Sequence, residues 1–343
     1  MIRRAFPAFF VDPSGISRAM SQQNSTILIM GAGSIGSVVG GFLARAGHDV
    51  TLVGRQPHME AIQSGGLHID GIWGEHHVTG LRTATTCEHL HGQPFDLIIL
   101  SVKSYDTEQA IGEAAPLLAP DGLVISFQNG LGNVETIAAR VGPERTLGGM
   151  VIFGARIDKP GHVTVTVYAN EVHIGSPTGV IDRDRVEEVA ALINASGVPT
   201  LATDEIEKHI WGKMLYNCAL NPLSAILNVS YGELAAAADT RDIMNNVVGE
   251  IFAVAKARGT NLFWNQPEEF LKVFYDVLIP PTSAHYASML EDLKRGGKTE
   301  IEALNGAIVS YGSEANVECP VNEALSNLIR VMERAYGTEP TGT

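Results

Sequence analysis

Lys213, Asn217 and Asn221 recur at every fourth residue of WGKMLYNCALNP, and Pro222 follows at once. On an α-helix, residues four apart drift by only about 40° around the axis, so an ammonium and two carboxamides line one narrow stripe. The neighbours Trp211, Leu215, Ala219 and Leu220 are apolar, and unpaired polar groups in a core are costly. The stripe must therefore face water, a buried partner or a ligand, and a ligand bearing a carbonyl and hydroxyls would satisfy it. Asparagines also bridge elements and lysines also snorkel, so the triplet takes its meaning from the rest of the chain. Cys218, between Asn217 and Ala219, suits a core position better than a nucleophile.

A second polar concentration lies in YASMLEDLKRGGKTEIEALNGAIV, which reads as one long helix. Ser288 and Glu300 are twelve residues apart there, a rotation of about 120°, so both can border one cleft without sharing a row. The Gly296–Gly297 pair is a weak point and a plausible kink. Glu300 stands among Glu291, Asp292 and Glu302, and spacing does not select it over Glu302.

These residues need something to act with, and the other end of the chain supplies it. TILIM (26–30) is a short strand leading into GAGSIG and then into SVVGGFLARAG, which has helical periodicity. Strand, glycine turn and helix form the context of a dinucleotide fingerprint. Gly31 permits the tight turn, Gly33 lets the backbone approach a pyrophosphate, and Gly36 lets helix and strand pack closely, with Ser34 and Ile35 in the same binding turn. The pyrophosphate would sit on the helix N-terminus, where free N–H groups and the dipole favour anions. The second strand, DVTLV, is followed by Gly54 and Arg55 and by no acid. An acid there would hold a ribose 2′-hydroxyl, whereas an arginine suits a 2′-phosphate. Arg55 is thus the expected determinant of NADP(H) preference.

DLIILSV (96–102) and LVISF (123–127) read as further buried strands, which deliver Lys103 and Ser104, and Gln128, Asn129 and Gly130, to their carboxyl ends. Ligands of open α/β sheets bind beyond those ends, so topology places Lys103 and Asn129 at the cofactor crevice. Residues 146–176 alternate as strands around a turn at Asp158–Gly161 and are expected in the same sheet. From about residue 204 the texture becomes helical, with a linker near Val198–Asp204. The expected fold class is α/β: a Rossmann-type domain over residues 25–203, an all-helical domain over 204–338 and a tail over 339–343. Residues 1–24 are expected to be a mis-start or a disordered arm, Met20 being the alternative start.

At 343 residues the chain can build two cores. A formal net charge of −14 disfavours nucleic-acid or anionic-membrane partners. No apolar run approaches the length of a membrane span. Cys87, Cys218 and Cys319 are far apart and show no metal-ligand spacing, so no metal is expected and a reducing cytoplasm is the simplest setting. The apolar helices of the second domain could bury a homodimer face, though no residue identifies one.

Taken together, GAGSIG at 31–36, VKS around Lys103, QNGLG from Gln128, WGKMLYNCALNPLSAI from Trp211, and SML with KTEIEALNG between Ser288 and Gly306 resemble the ketopantoate reductase (2-dehydropantoate 2-reductase) family. The resemblance runs from about Thr26 to Met332. It implies that NADPH and a small 2-oxo acid meet in an interdomain cleft, and it suggests pantothenate biosynthesis. By the same resemblance Lys213 is the general acid, and Glu300, rather than Glu302, is the acid that positions ketone, lysine or cofactor. Asn129, Asn217, Asn221 and Ser288 are implied to bind substrate, and Lys103 and Asn129 are implied to be contacts from the cofactor side. The chain departs from the family pattern at Tyr231, where well-characterised members carry an asparagine before GEL, and in the aromatic segment Ala236–Pro281. These departures keep open a paralogous reductase of another 2-oxo or hydroxy acid. A non-catalytic NADP(H)-sensing protein is a further alternative, disfavoured by the joint presence of Lys213 and Glu300.

Overall fold

In the computed structural model, which describes residues 24–337 apart from His91 and Gln93, alternation of apolar residues along short β-branched runs sets up the first unit. Ile27, Ile29, Leu97, Ile99, Leu123 and Ile125 join one buried cluster, while Leu28, Met30, Ile98, Leu100 and Val124 join another. Successive side chains of a strand point to opposite faces, so strands that are apolar throughout belong in a sheet covered on both sides.

The elements of this unit are β1 (Thr26–Met30), α1 (Ser34–Arg45), β2 (Asp49–Val53), α2 (Gln56–Gly65), β3 (Leu67–Gly71), β4 (His76–Val78), β5 (Arg82–Ala84), β6 (Phe95–Leu100), α3 (Thr107–Ala114), β7 (Leu118–Ser126), α4 (Asn133–Val141), β8 (Thr146–Met150), β9 (Phe153–Lys159), β10 (His162–Tyr168), β11 (Val172–Gly175), α5 (Arg183–Ser196) and β12 (Thr200–Ala202). The main sheet runs β12-β11-β8-β7-β6-β1-β2-β5. Its pairs from β5 to β8 are parallel, while β11 lies antiparallel to β8. Chain order reverses at β1, which pairs with both β2 and β6, and that switch point is where an open α/β sheet binds its ligand.

Two expectations are corrected here. β9 and β10 do not extend the main sheet; they form a second sheet in the order β4-β3-β10-β9. Alternation marks a strand but not its partner, and Gly40 and Gly41 show what this second sheet packs against. A Cβ on Gly40 would lie 2.5 Å from Leu52, and one on Gly41 would lie 2.6 Å from Ile69, so α1 is pressed between the main sheet and the small one. The stretch expected as a linker also contains β12, which pairs in parallel with β11.

The second unit comprises residues 207–337 together with Asn129–Gly132. It contains α6 (Ile206–Leu227, whose first residue is counted with the sheet unit), α7 (Tyr231–Ala236), α8 (Ala238–Arg258), α9 (Pro267–Val273), α10 (Ser288–Lys294), α11 (Asn305–Glu314) and α12 (Pro320–Gly337). Phe270 and Phe274 are fully buried in its core, with Trp264 and Tyr275 packed against it, so these aromatics of the 236–281 segment are core residues.

The long helix expected over Ser288–Glu300 is a third correction. α10 ends at Lys294, because Gly296 adopts φ 66° and the N–H groups of Gly296 and Gly297 turn back to Leu293 O (2.8 Å) and Asp292 O (2.9 Å). Glycine takes that left-handed conformation without a Cβ penalty, and the turned-back N–H groups satisfy carbonyls of the last helical turn.

α6 carries Pro222 in its interior, and proline leaves the carbonyl four residues earlier without its helical donor. That carbonyl belongs to Cys218, and Asn305 Nδ2 donates to it at 3.0 Å. Asn305 Nδ2 also donates to Asn322 Oδ1 (2.9 Å), and Asn322 Nδ2 donates to Glu250 Oε2 (2.6 Å). A buried chain of amides thus supports the helix at the turn that presents Asn217 and Asn221. No helix among the described residues is long and apolar enough to cross a membrane.

Candidate active site and cofactor site

The three fingerprint glycines sit in three different environments. Gly31 has φ 106°, and a Cβ there would lie 2.4 Å from Val102 N. Gly36 has no room either: its Cβ would meet Gly31 O at 2.4 Å and Ser101 Oγ at 2.5 Å. Gly33 is unlike both, with an ordinary φ of −78° and no atom nearer to a built Cβ than Gly31 O at 4.0 Å. Neither strain nor packing demands glycine at 33, and its backbone stands open to close approach by a ligand.

The same turn is prepared for an anion. Ser34, Ile35 and Gly36 open α1, their N–H groups make no hydrogen bond among the described residues, and the first turn holds no acid. Free N–H groups and the helix dipole favour a phosphate at such a position. Arg55 follows β2 directly as the residue capping α2, and its side chain is exposed and unpaired among the described residues. The site therefore fits a dinucleotide whose ribose carries a 2′-phosphate.

His58, which the sequence reading missed, ties this loop down. Gly161 N donates to His58 Nδ1 at 3.0 Å, so the other ring nitrogen carries the proton and donates to Ser37 Oγ at 3.0 Å. Ser37 Oγ in turn donates to Ala32 O at 3.3 Å. Burial lowers the His58 pKa, which keeps the ring neutral and the relay intact. Nothing in the local sequence marks His58, because its partners come from the first turn of α1 and from the turn between β9 and β10. Lys103 is half-buried just past β6 and within the sheet unit.

In the helical unit, Lys213, Asn129 and Glu300 are brought together from positions 84 and 171 residues apart. Lys213 Nζ donates to Asn129 Oδ1 at 2.7 Å, and Asn129 Nδ2 donates to Glu300 Oε2 at 3.3 Å. The carboxamide is thus oriented by an ammonium on one side and a carboxylate on the other. Asn129 is held in turn by its loop, since Leu131 N donates to Ala303 O at 2.8 Å and a Cβ on Gly130 would clash with Ala303. Burial lowers the Lys213 pKa to about 8, against a smaller raising effect of the Glu300 charge.

Glu302 has a different task. Arg330 donates to both of its carboxylate oxygens, at 2.6 and 2.7 Å, a fork that leaves it engaged as a structural ion pair. Geometry thereby separates two glutamates that spacing left equivalent.

Asn217 is half-buried and Asn221 is 7% exposed, one turn apart on α6 beyond Lys213. Tyr231 donates from its hydroxyl to Asn221 Oδ1 at 2.8 Å. Ser288 is exposed at the first position of α10.

Residues 27–179 match the family model described as ketopantoate reductase PanE/ApbA, and residues 205–333 match the model for its C-terminal part. The 2-dehydropantoate 2-reductase of Aquifex aeolicus (strain VF5) is 42% identical over 307 residues, covering 89% of this chain and 96% of that protein. The 2-dehydropantoate 2-reductase of Pyrococcus horikoshii is 36% identical, covering 91% and 98%. Among solved structures, a PanE/ApbA family ketopantoate reductase from Ralstonia eutropha JMP134 superposes with a TM-score of 0.81 at 32% identity, covering 91% of this chain and 99% of that one. A ternary complex of D-mandelate dehydrogenase with NADH and anilino(oxo)acetate gives a TM-score of 0.82 at 26% identity, covering 92% and 100%.

Proposed function

The chain belongs to the ketopantoate reductase family, and from that footing we propose that it reduces 2-dehydropantoate to pantoate with NADPH, Lys213 serving as general acid. The observation that carries this reading is the Asn129 carboxamide held between Lys213 and Glu300. A catalytic acid works best with a pKa near the operating pH and a fixed position, and burial and the amide bond supply these two properties.

NADPH, when bound, supplies the hydride. Lys213 donates a hydrogen bond to the ketone oxygen and passes its proton there as C2 becomes tetrahedral, offsetting charge that grows in the transition state. Glu300 favours the charged form of Lys213, and Asn129 fixes its direction. Gly33 and the first turn of α1 hold the pyrophosphate, and Arg55 takes the 2′-phosphate. Asn217, Asn221 and Ser288 hold the carboxylate and hydroxyl oxygens of the 2-oxo acid. The three cysteines are free, buried thiols, which suits operation in a reducing cytoplasm.

A second reading, reduction of a different 2-oxo acid, is favoured by the aromatic Tyr231 beside Asn221 and by the likeness to D-mandelate dehydrogenase. The two are separated by measuring kcat/KM with NADPH for 2-dehydropantoate, unbranched 2-oxo acids and an aryl 2-oxo acid. A preference for 2-dehydropantoate supports the first reading, and a preference for the aryl acid replaces it with the second.

A further inference from the structure

Tyr231 is held from several sides inside the helical unit. Its ring packs edge-on against Tyr216, with centroids 5.9 Å apart, and against His285, at 5.2 Å. Its N–H donates to His285 O at 3.0 Å, and the next N–H, of Gly232, donates to Ser283 O at 2.8 Å. The first turn of α7 is closed by a reciprocal cap: Glu233 Oε2 accepts from Ser230 N at 2.8 Å, while Ser230 Oγ accepts from Glu233 N. With backbone and ring both fixed, the hydroxyl is fixed as well.

That hydroxyl meets Asn221 Oδ1 at 2.8 Å and has no other acceptor among the described residues. Reversing the amide would make the hydroxyl an acceptor and leave its own buried proton without a partner among the described residues, so the orientation with Oδ1 toward Tyr231 is the better satisfied one. In that orientation Nδ2 makes no hydrogen bond among the described residues, although Asn221 is 7% exposed. That nitrogen is not among the fully enclosed unpartnered polar atoms, so it keeps contact with solvent, the side from which a ligand oxygen would reach it. Burial also pushes the Tyr231 pKa far above its ordinary value, so the hydroxyl keeps the proton it donates to Asn221.

We infer that Tyr231 is a positioning residue that locks Asn221 as a hydrogen-bond donor, so that this end of the substrate site accepts an unprotonated acceptor oxygen, such as a carboxylate oxygen of the 2-oxo acid, and rejects a donor group. An asparagine free to rotate presents either its oxygen or its nitrogen. One whose oxygen is already taken presents only N–H. The inference rests on the reading of the preceding subsection, because it concerns the same 2-oxo acid.

The test is a double-mutant cycle on KM, with kcat, NADPH affinity and thermal midpoint measured alongside. Tyr231→Phe removes only the hydroxyl. It should raise KM for the 2-oxo acid roughly tenfold, the value of one hydrogen bond, with kcat and NADPH Kd nearly unchanged. In an Asn221→Ala background the same change should have no effect on KM, since the residue through which it acts is gone. A merely structural tyrosine would instead lower the thermal midpoint and raise KM equally in both backgrounds, and that result overturns the inference. If Tyr231→Phe does not fold, Asn221→Asp carries the test. It keeps the acceptor for Tyr231 and replaces the donor, and an unchanged KM there overturns the inference. Absence of turnover by the wild-type protein on any 2-oxo acid would remove the functional reading and this inference together, whereas wild-type turnover with a failed cycle removes the inference alone.

Discussion

The Lys213 ammonium donates a 2.7 Å hydrogen bond to the side-chain oxygen of Asn129, a residue 84 positions earlier in the chain. Burial disfavours the charged ammonium more than the Glu300 charge favours it, so its pKa falls to about 8 while the bond to the Asn129 carboxamide keeps it aimed.

Replacing Lys213 by Ala should lower kcat by about 10²–10⁴-fold, the usual worth of a general acid, with NADPH affinity little changed. Steady-state kinetics at saturating cofactor provides the check, and near-normal turnover would remove Lys213 from the mechanism.

A pH profile follows from the lowered pKa. In its proposed role as general acid Lys213 acts protonated, its pKa is about 8, and so kcat/KM should be level below that pH and fall tenfold per unit above it. Glu300 raises the Lys213 pKa, so Glu300→Gln should move this descending limb to lower pH. A limb that stays in place or moves upward would show that Glu300 does not act on Lys213.

Much of this was legible in residue types, and less of it in spacing. β1 and β2 begin and end where TILIM and DVTLV do, because strands buried on both faces are apolar throughout and end at glycine turns. The second sheet was not legible, since Ile69 and Val163 alternate like any strand residue and only α1 between the sheets decides where they go. The break at Gly296 was anticipated as a kink, but a positive φ ends the helix and puts Glu300 on an irregular segment. Lys213 stood out by helical spacing, whereas its bond to Asn129 joins distant segments, which no local pattern records. Pro222 was noticed for following Asn221, yet its partner Asn305 is visible only through the carbonyl it serves.

The two glycines at 33 and 36 should behave oppositely. Gly33→Ala has open space at its Cβ, so the protein should fold normally and lose NADPH affinity by more than about tenfold. Gly36→Ala meets Gly31 O and should lower the thermal midpoint before any cofactor is added. Equal effects on folding from both variants would contradict the assignment of Gly33 to the pyrophosphate.

Arg55→Ala should weaken NADPH by about tenfold or more while leaving NADH affinity unaltered, because only NADPH carries the 2′-phosphate. An equal loss for both cofactors, measured by fluorescence titration, would take that phosphate away from Arg55.

Asn305→Ala should destabilise the fold by about 2 kcal/mol, because it leaves Cys218 O and Asn322 Oδ1 buried without a donor. Denaturant unfolding reads this directly, and a change below ~0.5 kcal/mol, the range of an ordinary surface substitution, would show that α6 does not depend on Asn305.

The most direct test of the central claim is the rate of NADPH consumption with 2-dehydropantoate, measured in parallel for the wild-type protein and Lys213→Ala. Rapid consumption by the wild type, with pantoate formed and the rate reduced at least about a hundredfold in the variant, is the predicted result. Consumption that is absent in the wild type, or unaffected by the loss of Lys213, would contradict it.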